Sequence, residues 1–294
     1  MRRSPSPEQC QPDVLHGRQV AAMFGRIARW YDLLNHALSL GMDVYWRWRL
    51  ARVARPGSGG VVLDLAAGTL DVSRALCRMY PAVRVAAVDF ARPMLERGLP
   101  KLARDGLEER ILPVQGDGRR LPLPDASCDA ATIAFGIRNI RPRMAAHREV
   151  LRVLKPGGRF CILEFGTGRR RLWGGLYNFY LNRVLPTLGR LVSGDRLAYR
   201  YLAETIREFP DERRLAHELL DAGYARVFHV AMLSGIVYLH VAEKEGAPGF
   251  AAARDEAGDL LRCFTPEDPG KGPEDDPEER LEAGLPRRRS GPGT

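Results

Sequence analysis

The chain has 294 residues, of which 45% are hydrophobic, enough for one folded core of roughly 200 to 250 residues with tails left over. Its five cysteines form no C-x-x-C pair, which argues against a disulfide framework and a cysteine zinc site and is consistent with a reducing cytoplasm. The first residues lack a signal-peptide pattern, and no apolar run approaches the roughly 18 residues of a membrane-spanning helix, so we predict neither.

Charge and composition divide the chain into three parts. Residues 1–244 carry 38 basic and 24 acidic side chains, whereas residues 245–294 carry 7 basic and 12 acidic ones. The basic part favours anionic partners, such as acidic lipid, nucleic acid or a phosphorylated substrate, without choosing among them. We predict a flexible segment over residues 1–17, a folded domain over 18–244 and a disordered, charged, Pro/Gly-rich tail over 245–294.

The spacing of the apolar residues predicts two helices and then an alternation of strands and helices. Apolar side chains recur at helical spacing from Val20 to Tyr31 and from Tyr45 to Val53. The predicted strands are 61–66, 84–88, 111–115, 129–135 and 159–164. The predicted helices between them begin near Asp71, Arg92 and Arg143. This alternation predicts a parallel sheet with right-handed crossovers.

The end of the predicted domain has a different pattern. The run Lys155-Pro156-Gly157-Gly158 is predicted to end a helix and turn into the fifth strand. Residues 172–222 have helical spacing with interruptions at Pro186 and Pro210. Residues 225–232 and 236–242 resemble two strands joined at Ser234-Gly235. We therefore predict an α/β fold whose mostly parallel sheet ends in an antiparallel hairpin.

A nucleotide-sized ligand is predicted at the end of the first two strands. The first strand contains Asp64 and runs into a turn with Gly68 and Thr69, where the following helix presents backbone amides to an anionic group. Asp89 ends the second strand about twenty residues later, where a carboxylate accepts hydrogen bonds from a ribose diol. A helix N-cap is the structural alternative for Asp89.

Polar residues also follow the third and fourth predicted strands. Asp117 and Gly118 follow the third strand, where a carboxylate can accept from an exocyclic amine of adenine; a simple turn is the alternative. Ala134 lies close to the end of the fourth predicted strand, and Arg138 with Asn139 follows that strand beside a glycine. Two polar groups directly after a buried strand favour a reactive centre, although they could merely cap the loop.

Three stretches carry aromatic residues, and two of them also carry arginine. Tyr31 to Asn35 and Trp46 to Arg49 lie on the N-terminal helices, where we interpret them as a packed face with snorkelling arginine stems. The stretch from Arg169 to Arg190 is either a solvated basic edge on a core helix or a helix lying on anionic lipid.

Several motifs together resemble one enzyme family. Two are especially specific: Tyr31-Asp32-x-x-Asn35-x-x-Leu38-Ser39, closed by Trp46, and Arg152-Val153-Leu154-Lys155-Pro156-Gly157-Gly158, closed by Glu164. Further stretches are Phe135-Gly136-Ile137-Arg138-Asn139, Val184-Leu185-Pro186, Tyr199-x-Tyr201-Leu202-x-Glu204-x-Ile206-Arg207 and Gly235-Ile236-Val237-x-Leu239-His240. From about Val20 to Lys244 the chain resembles the UbiE and MenG family of C-methyltransferases of ubiquinone and menaquinone biosynthesis.

The resemblance implies a fold, a cofactor and a substrate class. It implies a Rossmann-like class I methyltransferase with a seven-stranded sheet, S-adenosylmethionine as cofactor and C-methylation of a prenylated benzoquinol or naphthoquinol ring. The residues that correspond to cofactor-contacting positions are Asp64, Gly68, Thr69, Asp89, Asp117, Gly118 and Ala134. We expect Arg138 to stabilise a developing phenolate, Asn139 to orient the ring or a water, and Tyr31 to close over the ring; no metal is expected.

The resemblance also implies where the protein works. A substrate with a long isoprenoid chain must be reached from a bilayer surface, so we expect a cytoplasmic protein with a peripheral contact to anionic membrane, made by the Arg169 to Arg190 stretch. Nucleic acid is not expected as a partner, and a homo-oligomer is compatible with the sequence.

Four positions depart from the family pattern. Leu70 stands where the family has glycine; at positive φ a leucine is penalised by roughly 1 to 2 kcal/mol, and we expect its side chain beside the methionine end of the cofactor. Asp43 replaces a histidine, Gly166 replaces a serine, and Ala134 stands where some relatives have serine, which leaves only a main-chain contact.

Four other functions share some of these features. A nicotinamide-dependent dehydrogenase would need the later glycines of G-x-G-x-x-G, which residues 68–73 lack. A methyltransferase for a soluble small molecule would share the cofactor site. A nucleic-acid-binding module would explain the basic charge, although no recognition motif supports it. A non-catalytic scaffold with a degenerate methyltransferase fold would explain Leu70.

Overall fold

The computed structural model describes residues 11–166, 196–246 and 262–265. The helices in these ranges are α1 (Gln11–Leu38), α2 (Met42–Ala54), α3 (Asp71–Met79), α4 (Arg92–Asp105), α5 (Arg143–Val153), α6 (Arg196–Glu208) and α7 (Glu212–Ala222). The strands are β1 (Val61–Leu65), β2 (Arg84–Asp89), β3 (Ile111–Gln115), β4 (Cys128–Ala134), β5 (Leu154–Phe165), β6 (Arg226–Met232), β7 (Val237–Glu243) and β8 (Arg262–Phe264).

The strands form one mixed sheet in the order β3-β2-β1-β4-β5-β7-β6-β8. Strands β1 to β5 are parallel, and β7 runs antiparallel to both β5 and β6. The predicted parallel sheet and its antiparallel hairpin are therefore confirmed. Because strand order reverses beside β1, the sheet has its topological switch point between β1 and β4, where α/β proteins bind ligands.

The predicted helix starts at Asp71, Arg92 and Arg143 are confirmed. The main boundary error concerns β5, which begins at Leu154 and so includes the Lys-Pro-Gly-Gly run that we predicted as a turn. The pairing register shifts there, because Cys128 pairs with Leu154 whereas Ala130 pairs with Arg159. The run is accommodated as an irregularity inside the strand pair.

Both predicted tails contain regular structure that the composition did not indicate. Residues 11–17, predicted as flexible, form the start of α1. Arg262–Phe264, predicted as disordered, forms β8, which pairs antiparallel with β6 and places Phe264 opposite Val227. An unpaired edge of β6 offers backbone hydrogen bonds to such a short segment. The remaining tail residues, and the predicted membrane contact from Arg169 to Arg190, lie outside the described residues.

Apolar side chains pack on both faces of the sheet. The alternation along β1 sends Val62 to one face and Leu63 to the other. On the first face Val62 shares a core with Leu50 of α2 and Leu76 of α3; on the second Leu63 shares a core with α5 and α7. This three-layer packing holds the strand ends at fixed positions.

The long helix α1 connects the two sides of the molecule. Its Met23 and Ile27 pack with Ile206 of α6, and its Ala28 packs with Ala91 and Met94 at α4. Ala91 lies two residues after the end of β2, so α1 lies beside the carboxyl end of that strand. In the ranges described, every helix is too short or too polar to cross a bilayer.

Candidate active site

A cavity opens at the carboxyl ends of β1 to β4, beneath α1, and together with the open solvent at its mouth it encloses about 820 Å³ of empty space. Of the residues predicted for the site, the cavity is lined by Tyr31, Gly68, Asp89, Asp117, Gly118, Ala134 and Asn139. The described chain therefore brings seven of the ten predicted residues to one cavity; Asp64, Thr69 and Arg138 lie outside its lining.

Left-handed backbone conformations surround the cavity. Ala66 after β1 has φ +51° and Phe135 after β4 has φ +54°, and both residues line the cavity. A Cβ at Gly136 would lie 2.6 Å from the Cβ of Ala66, so only glycine allows these two turns to approach each other. Such backbone strain in non-glycine residues occurs frequently at binding sites.

Asp89 links the turn after β1 to the end of β2. Its Oδ2 accepts the backbone N–H of Gly68 at 2.8 Å, and its Oδ1 accepts the backbone N–H of Ala91 at 2.7 Å. Burial raises the pKa of Asp89, and these two hydrogen bonds oppose that rise. Because each carboxylate oxygen has a second acceptor site, Asp89 can still accept hydrogen bonds from a ligand in the cavity.

The turn after β3 supplies the next part of the cavity wall. Asp117 accepts three side-chain hydrogen bonds from Arg119; burial alone would raise its pKa, but these bonds lower it. A Cβ at Gly118 would lie 3.0 Å from Leu65 and from Ile140. Asp117 is therefore a fixed carboxylate, and Gly118 leaves its backbone close to the cavity.

Leu70 has the predicted strained backbone, but its side chain does not lie where we expected. Its φ is +68°, and the side chain is fully buried in the core on the α2 and α3 face. A Cβ at Gly98 of α4 would lie 2.6 Å from Leu70 Cγ, so the leucine occupies space that Gly98 leaves open. Leu70 is not among the residues that line the cavity.

Asp64 and Thr69 lie behind the cavity wall. Asp64 is fully buried and accepts hydrogen bonds from Ser73 of α3 at 2.6 Å and from Thr132 of β4 at 3.0 Å. Burial raises the pKa of Asp64 to about 7. Thr69 is buried as well, and its hydroxyl donates to Asp32. In this structure both side chains connect elements of the fold around the turn.

Asp32 joins α1 to the glycine turn, and we did not predict it as a site residue. Its Oδ1 accepts the Thr69 hydroxyl at 2.5 Å, and its Oδ2 lies 2.7 Å from Nζ of Lys101 on α4. Lys101 also contacts Asp71 at the start of α3, at 2.8 Å. Since Tyr31 is the neighbouring residue, this contact also fixes the part of α1 that lines the cavity. The sequence signal was its place in the Tyr31-Asp32-x-x-Asn35 motif.

Arg138 is buried beside the cavity wall and forms an ion pair with Glu164. Its guanidinium donates to Glu164 at 2.5 Å and to the carbonyl of Phe135 at 2.6 Å. Burial raises the pKa of Glu164, and the charge of Arg138 opposes that rise. Arg138 Nε and Glu164 Oε2 have no hydrogen-bond partner among the described residues. Arg138 is not among the residues that line the cavity, so its expected role toward a ring stays a prediction.

Tyr31 and Asn139 do line the cavity. Burial raises the pKa of the Tyr31 hydroxyl; a hydrogen bond with Asn35 and the charge of Arg138 both act against that rise. The hydroxyl is therefore protonated at neutral pH. The Asn139 side-chain oxygen accepts the Tyr201 hydroxyl at 3.2 Å, which fixes the orientation of its amide group.

Comparisons with known proteins identify the family. A model of the ubiE/COQ5 methyltransferase family matches residues 13–244. The demethylmenaquinone methyltransferase of Mycobacterium tuberculosis is 44% identical over 229 residues, which cover 78% of this chain and 94% of the relative. The ubiquinone/menaquinone biosynthesis C-methyltransferase UbiE of Pseudomonas putida is 40% identical over 230 residues, covering 78% and 90%. The chain belongs to the ubiE/COQ5 methyltransferase family.

Solved structures support the fold of this family member. The [4+2]-cyclase SpnF aligns with a TM-score of 0.58 at 17% identity, covering 78% of this chain and 96% of the other. A SAM-dependent methyltransferase from Thermotoga maritima aligns with a TM-score of 0.54 at 15% identity, covering 76% and 99%. The predicted class I methyltransferase fold is confirmed, with β8 as an eighth strand. The chain is an S-adenosylmethionine-dependent methyltransferase.

The cavity of this ubiE/COQ5 family member fits that cofactor. Asp89 places a carboxylate at the end of β2, where a ribose diol needs an acceptor. Gly68 and Gly118 leave backbone exposed at the wall, and Asp117 adds a second carboxylate. Because Leu70 points into the core, the feature that suggested a degenerate site leaves the cavity open.

The Leu70 and Gly98 pair gives a first test. Gly98→Ala is expected to destabilise the fold by about 1–3 kcal/mol, because the new methyl group overlaps Leu70. In a Leu70→Ala background the same substitution should have a smaller effect, since the Leu70 atoms at 2.6 and 2.7 Å are absent and the Thr69 carbonyl oxygen at 3.0 Å is the close contact that stays. Urea denaturation of the four proteins should give a coupling free energy of about 1 kcal/mol or more.

Gly25→Ala on α1 is the matched control, because its new Cβ would be in ordinary contact with Pro93 at 3.5 Å. It should be neutral or slightly stabilising. Additive effects of Gly98→Ala and Leu70→Ala would contradict the packing described.

The Asp32 contact gives a second test. Asp32→Asn removes the charge that Thr69 and Lys101 share, so α1 should be held less firmly over the cavity. We expect the Kd for S-adenosylmethionine to rise about threefold to tenfold, which corresponds to about 1 kcal/mol. Titration calorimetry measures this change.

The control is Glu96→Gln, which removes an ion pair with Arg92 within α4 and leaves α1 untouched. Its cofactor affinity should equal that of the unmodified chain. Equal affinities of the Asp32→Asn and Glu96→Gln proteins would show that the Asp32 contact does not support the site.

Proposed function

We propose that the chain methylates a ring carbon of a prenylated quinol, with demethylmenaquinol as the preferred acceptor. The observation that carries the proposal is the 40–44% identity to two quinone-biosynthesis methyltransferases over nearly their whole length. One relative is named for demethylmenaquinone, and the other for ubiquinone and menaquinone biosynthesis. A naphthoquinol is the ring class common to both names, which is why we place it before a benzoquinol.

The cavity offers two chemically different regions for the two reactants. We assign the cofactor to the wall formed by Gly68, Asp89, Asp117 and Gly118, with Ala134 contributing backbone only. When bound, S-adenosylmethionine supplies an activated methyl group that a carbon nucleophile can displace. Behind this wall, Asp64 and Thr69 support the site by tying the turn to α3, β4 and α1.

Aromatic residues favour a planar acceptor ring in the other region. Phe24 and Tyr31 of α1 line the cavity with their rings 5.9 Å apart in an edge-on arrangement, and Phe135 lines it from the end of β4. Phe135 packs against Phe165 at 4.5 Å, which supports it from behind. Aromatic faces and edges of this kind suit an apolar ring with polar hydroxyls.

The acceptor carbon becomes nucleophilic when a neighbouring phenol loses its proton, and that phenol has a pKa near 10 in water. We assign two direct contacts: Tyr31, whose protonated hydroxyl can donate to a developing phenolate, and Asn139, whose amide is oriented by Tyr201. Among the described lining residues the carboxylates are Asp89 and Asp117, and both belong to the cofactor region. We therefore assign the proton to a water molecule, not to Asp64.

Arg138 is assigned a positioning role in place of direct contact. Burial raises the pKa of Tyr31 and the charge of Arg138 opposes that rise, so the field of Arg138 reaches the acceptor region although its guanidinium is paired with Glu164. It also holds the carbonyl of Phe135, which fixes the aromatic wall. A buried positive charge behind that wall stabilises negative charge that develops on the ring.

The acceptor chemistry is tested by assaying the purified chain with S-adenosylmethionine and two quinols, demethylmenaquinol and its benzoquinol counterpart. We expect ring methylation of the naphthoquinol at the higher kcat/KM. Asp89→Asn, which keeps the size but removes the charged acceptor, should raise the cofactor Kd at least about tenfold. Turnover of the benzoquinol alone would reassign the ring, and no turnover of either would contradict the proposal.

The positioning role of Arg138 is tested by separating turnover from affinity. Arg138→Gln combined with Glu164→Gln avoids a buried unpaired carboxylate, and we expect kcat to fall about 100-fold with a cofactor Kd within about threefold. The rise of kcat with pH should move to higher pH, because a positive charge no longer favours the phenolate. Arg138→Lys should restore part of kcat; equal losses of kcat and cofactor affinity would refute the role.

A further inference from the structure

Large apolar side chains are exposed where α1 joins α2. We call this surface the hairpin tip and define it as Leu33, Leu40, Val44, Tyr45 and Trp48. Leu40 is 91% exposed, and Leu33 and Val44 are 56% and 58% exposed. Single exposed apolar residues are common, but five on one helical hairpin form a patch of the kind that contacts a partner.

The exposed side chains of α2 share one face of the helix. Tyr45 directly follows Val44, and Trp48 comes four residues after Val44 and three after Tyr45. At the spacing of a helix these three side chains lie side by side. The rings of Tyr45 and Trp48 stack with their centroids 6.1 Å apart, and the guanidinium of Arg52 lies 5.0 Å above the Trp48 ring. Tyrosine and tryptophan rings are enriched at membrane interfaces, and long basic side chains such as arginine are favoured there as well.

Leu40 is unfavourable in two ways in water. Its φ of +51° is a left-handed conformation that leucine rarely adopts, and its side chain is almost completely exposed. Among the described residues no packing of the Leu40 side chain offsets this strain. Glycine would suit this backbone conformation better than leucine. The presence of leucine therefore points to a partner that contacts its side chain.

The hairpin tip is held in shape by Asp43. The buried carboxylate of Asp43 accepts hydrogen bonds from the hydroxyl of Ser39 and the guanidinium of Arg47, and it bonds the His36 ring at 3.0 Å. These contacts cross the turn between the two helices. The acidic group nearest to the apolar tip is therefore covered and paired, which leaves no acidic side chain exposed at the turn.

The charge of the hairpin favours an anionic partner. Residues 17–55 contain seven arginines and two aspartates, with no lysine and no glutamate. The two aspartates, Asp32 and Asp43, are both engaged within the fold. Near the turn Arg49 is buried and Arg47 is paired with Asp43, so the cation of the hairpin closest to the tip is Arg52, which lies over Trp48, and the exposed arginines are further along the two helices. An exposed apolar tip on a basic pair of helices is the combination that binds anionic membranes.

We propose that the hairpin tip inserts into the surface of an anionic lipid bilayer, with Leu40 at its apex. The inference deepens the proposed function and rests on it, because a prenylated quinol is dissolved in such a bilayer. A second copy of the chain is a weaker partner for this surface, since two basic hairpins would repel each other.

The same two helices connect the hairpin tip to the cavity. On the inner side of α2, the Trp46 ring packs 5.9 Å from Phe135, which lines the acceptor region. On α1, Leu33 follows the cavity residue Tyr31 by two positions. Insertion of the tip would thus bring the bilayer surface close to the acceptor region.

The test is flotation of the full-length chain with vesicles of phosphatidylcholine alone or mixed with phosphatidylglycerol. We expect binding that requires the anionic lipid, and at least about a tenfold loss of partitioning when Leu40, Val44 and Trp48 are all replaced by serine. The matched control replaces Leu99 and Leu112, which are exposed on α4 and β3, by serine. The control should bind vesicles like the unmodified chain.

Leu40→Gly separates membrane contact from folding. Glycine relieves the strained φ, so this variant should melt at or above the temperature of the unmodified chain and yet bind anionic vesicles more weakly. Unchanged vesicle binding by both tip variants would overturn the proposal. Conversion of a dimer to a monomer without a change in vesicle binding would identify the tip as a self-association surface instead.

Activity distinguishes this inference from the proposed function. The triple serine variant should methylate a short-chain, water-soluble quinol as fast as the unmodified chain, but should turn over a long-chain quinol in vesicles at least about tenfold more slowly. Vesicle binding without turnover of any quinol would contradict the proposed function alone. Equal turnover of the long-chain quinol by both proteins would contradict the membrane role of the tip.

Discussion

The site depends on how sharply the chain turns at the ends of β1 and β4. Ala66, Gly68 and Leu70 all adopt left-handed backbone conformations within five residues of each other, and Phe135 does so after β4. These turns lead the chain away from the sheet and leave the cavity between the two strand ends. Three of the four residues are not glycine, so packing must compensate for the strain, at about 1–2 kcal/mol for each. Gly136 beside Ala66 and Gly98 beside Leu70 provide the space for that packing.

Helix α1 connects the turn after β1 to the aromatic wall of the cavity and to α2. Through Asp32, α1 binds the hydroxyl of Thr69, and through Tyr31 and Phe24 it forms the aromatic wall. Its last turn is fixed to α2 by Asp43. The same helix therefore contacts the proposed cofactor region, the proposed acceptor region and the hairpin tip. The orientation of the protein on a bilayer would then determine which part of the cavity faces the lipid.

Much of the sheet could be predicted because periodicity and turn residues are local properties of the chain. The starts of α3, α4 and α5 and the placement of Asp89 at the end of β2 followed from such patterns. The directions of individual side chains did not, because they depend on residues far away in sequence. Leu70 points into the core because Gly98 lies opposite it, and Arg138 is paired because Glu164 ends the neighbouring strand. Pairing of β8 likewise depends on the open edge of β6 and not on the composition of the tail.

The departures from the family pattern support a working enzyme over a degenerate scaffold. Leu70 is accommodated by a glycine on α4, and Asp43 is satisfied by three partners at the helix junction. Gly166 is a position where a Cβ would lie 2.2 Å from the carbonyl oxygen of Gly235, so a serine there would require a different backbone. None of the three residues is part of the described cavity lining. A chain that had lost its function would be expected to accumulate changes within the cavity. Here three of the four departures lie outside the lining and are matched by their structural neighbours, and the fourth, Ala134, lines the cavity with a small side chain.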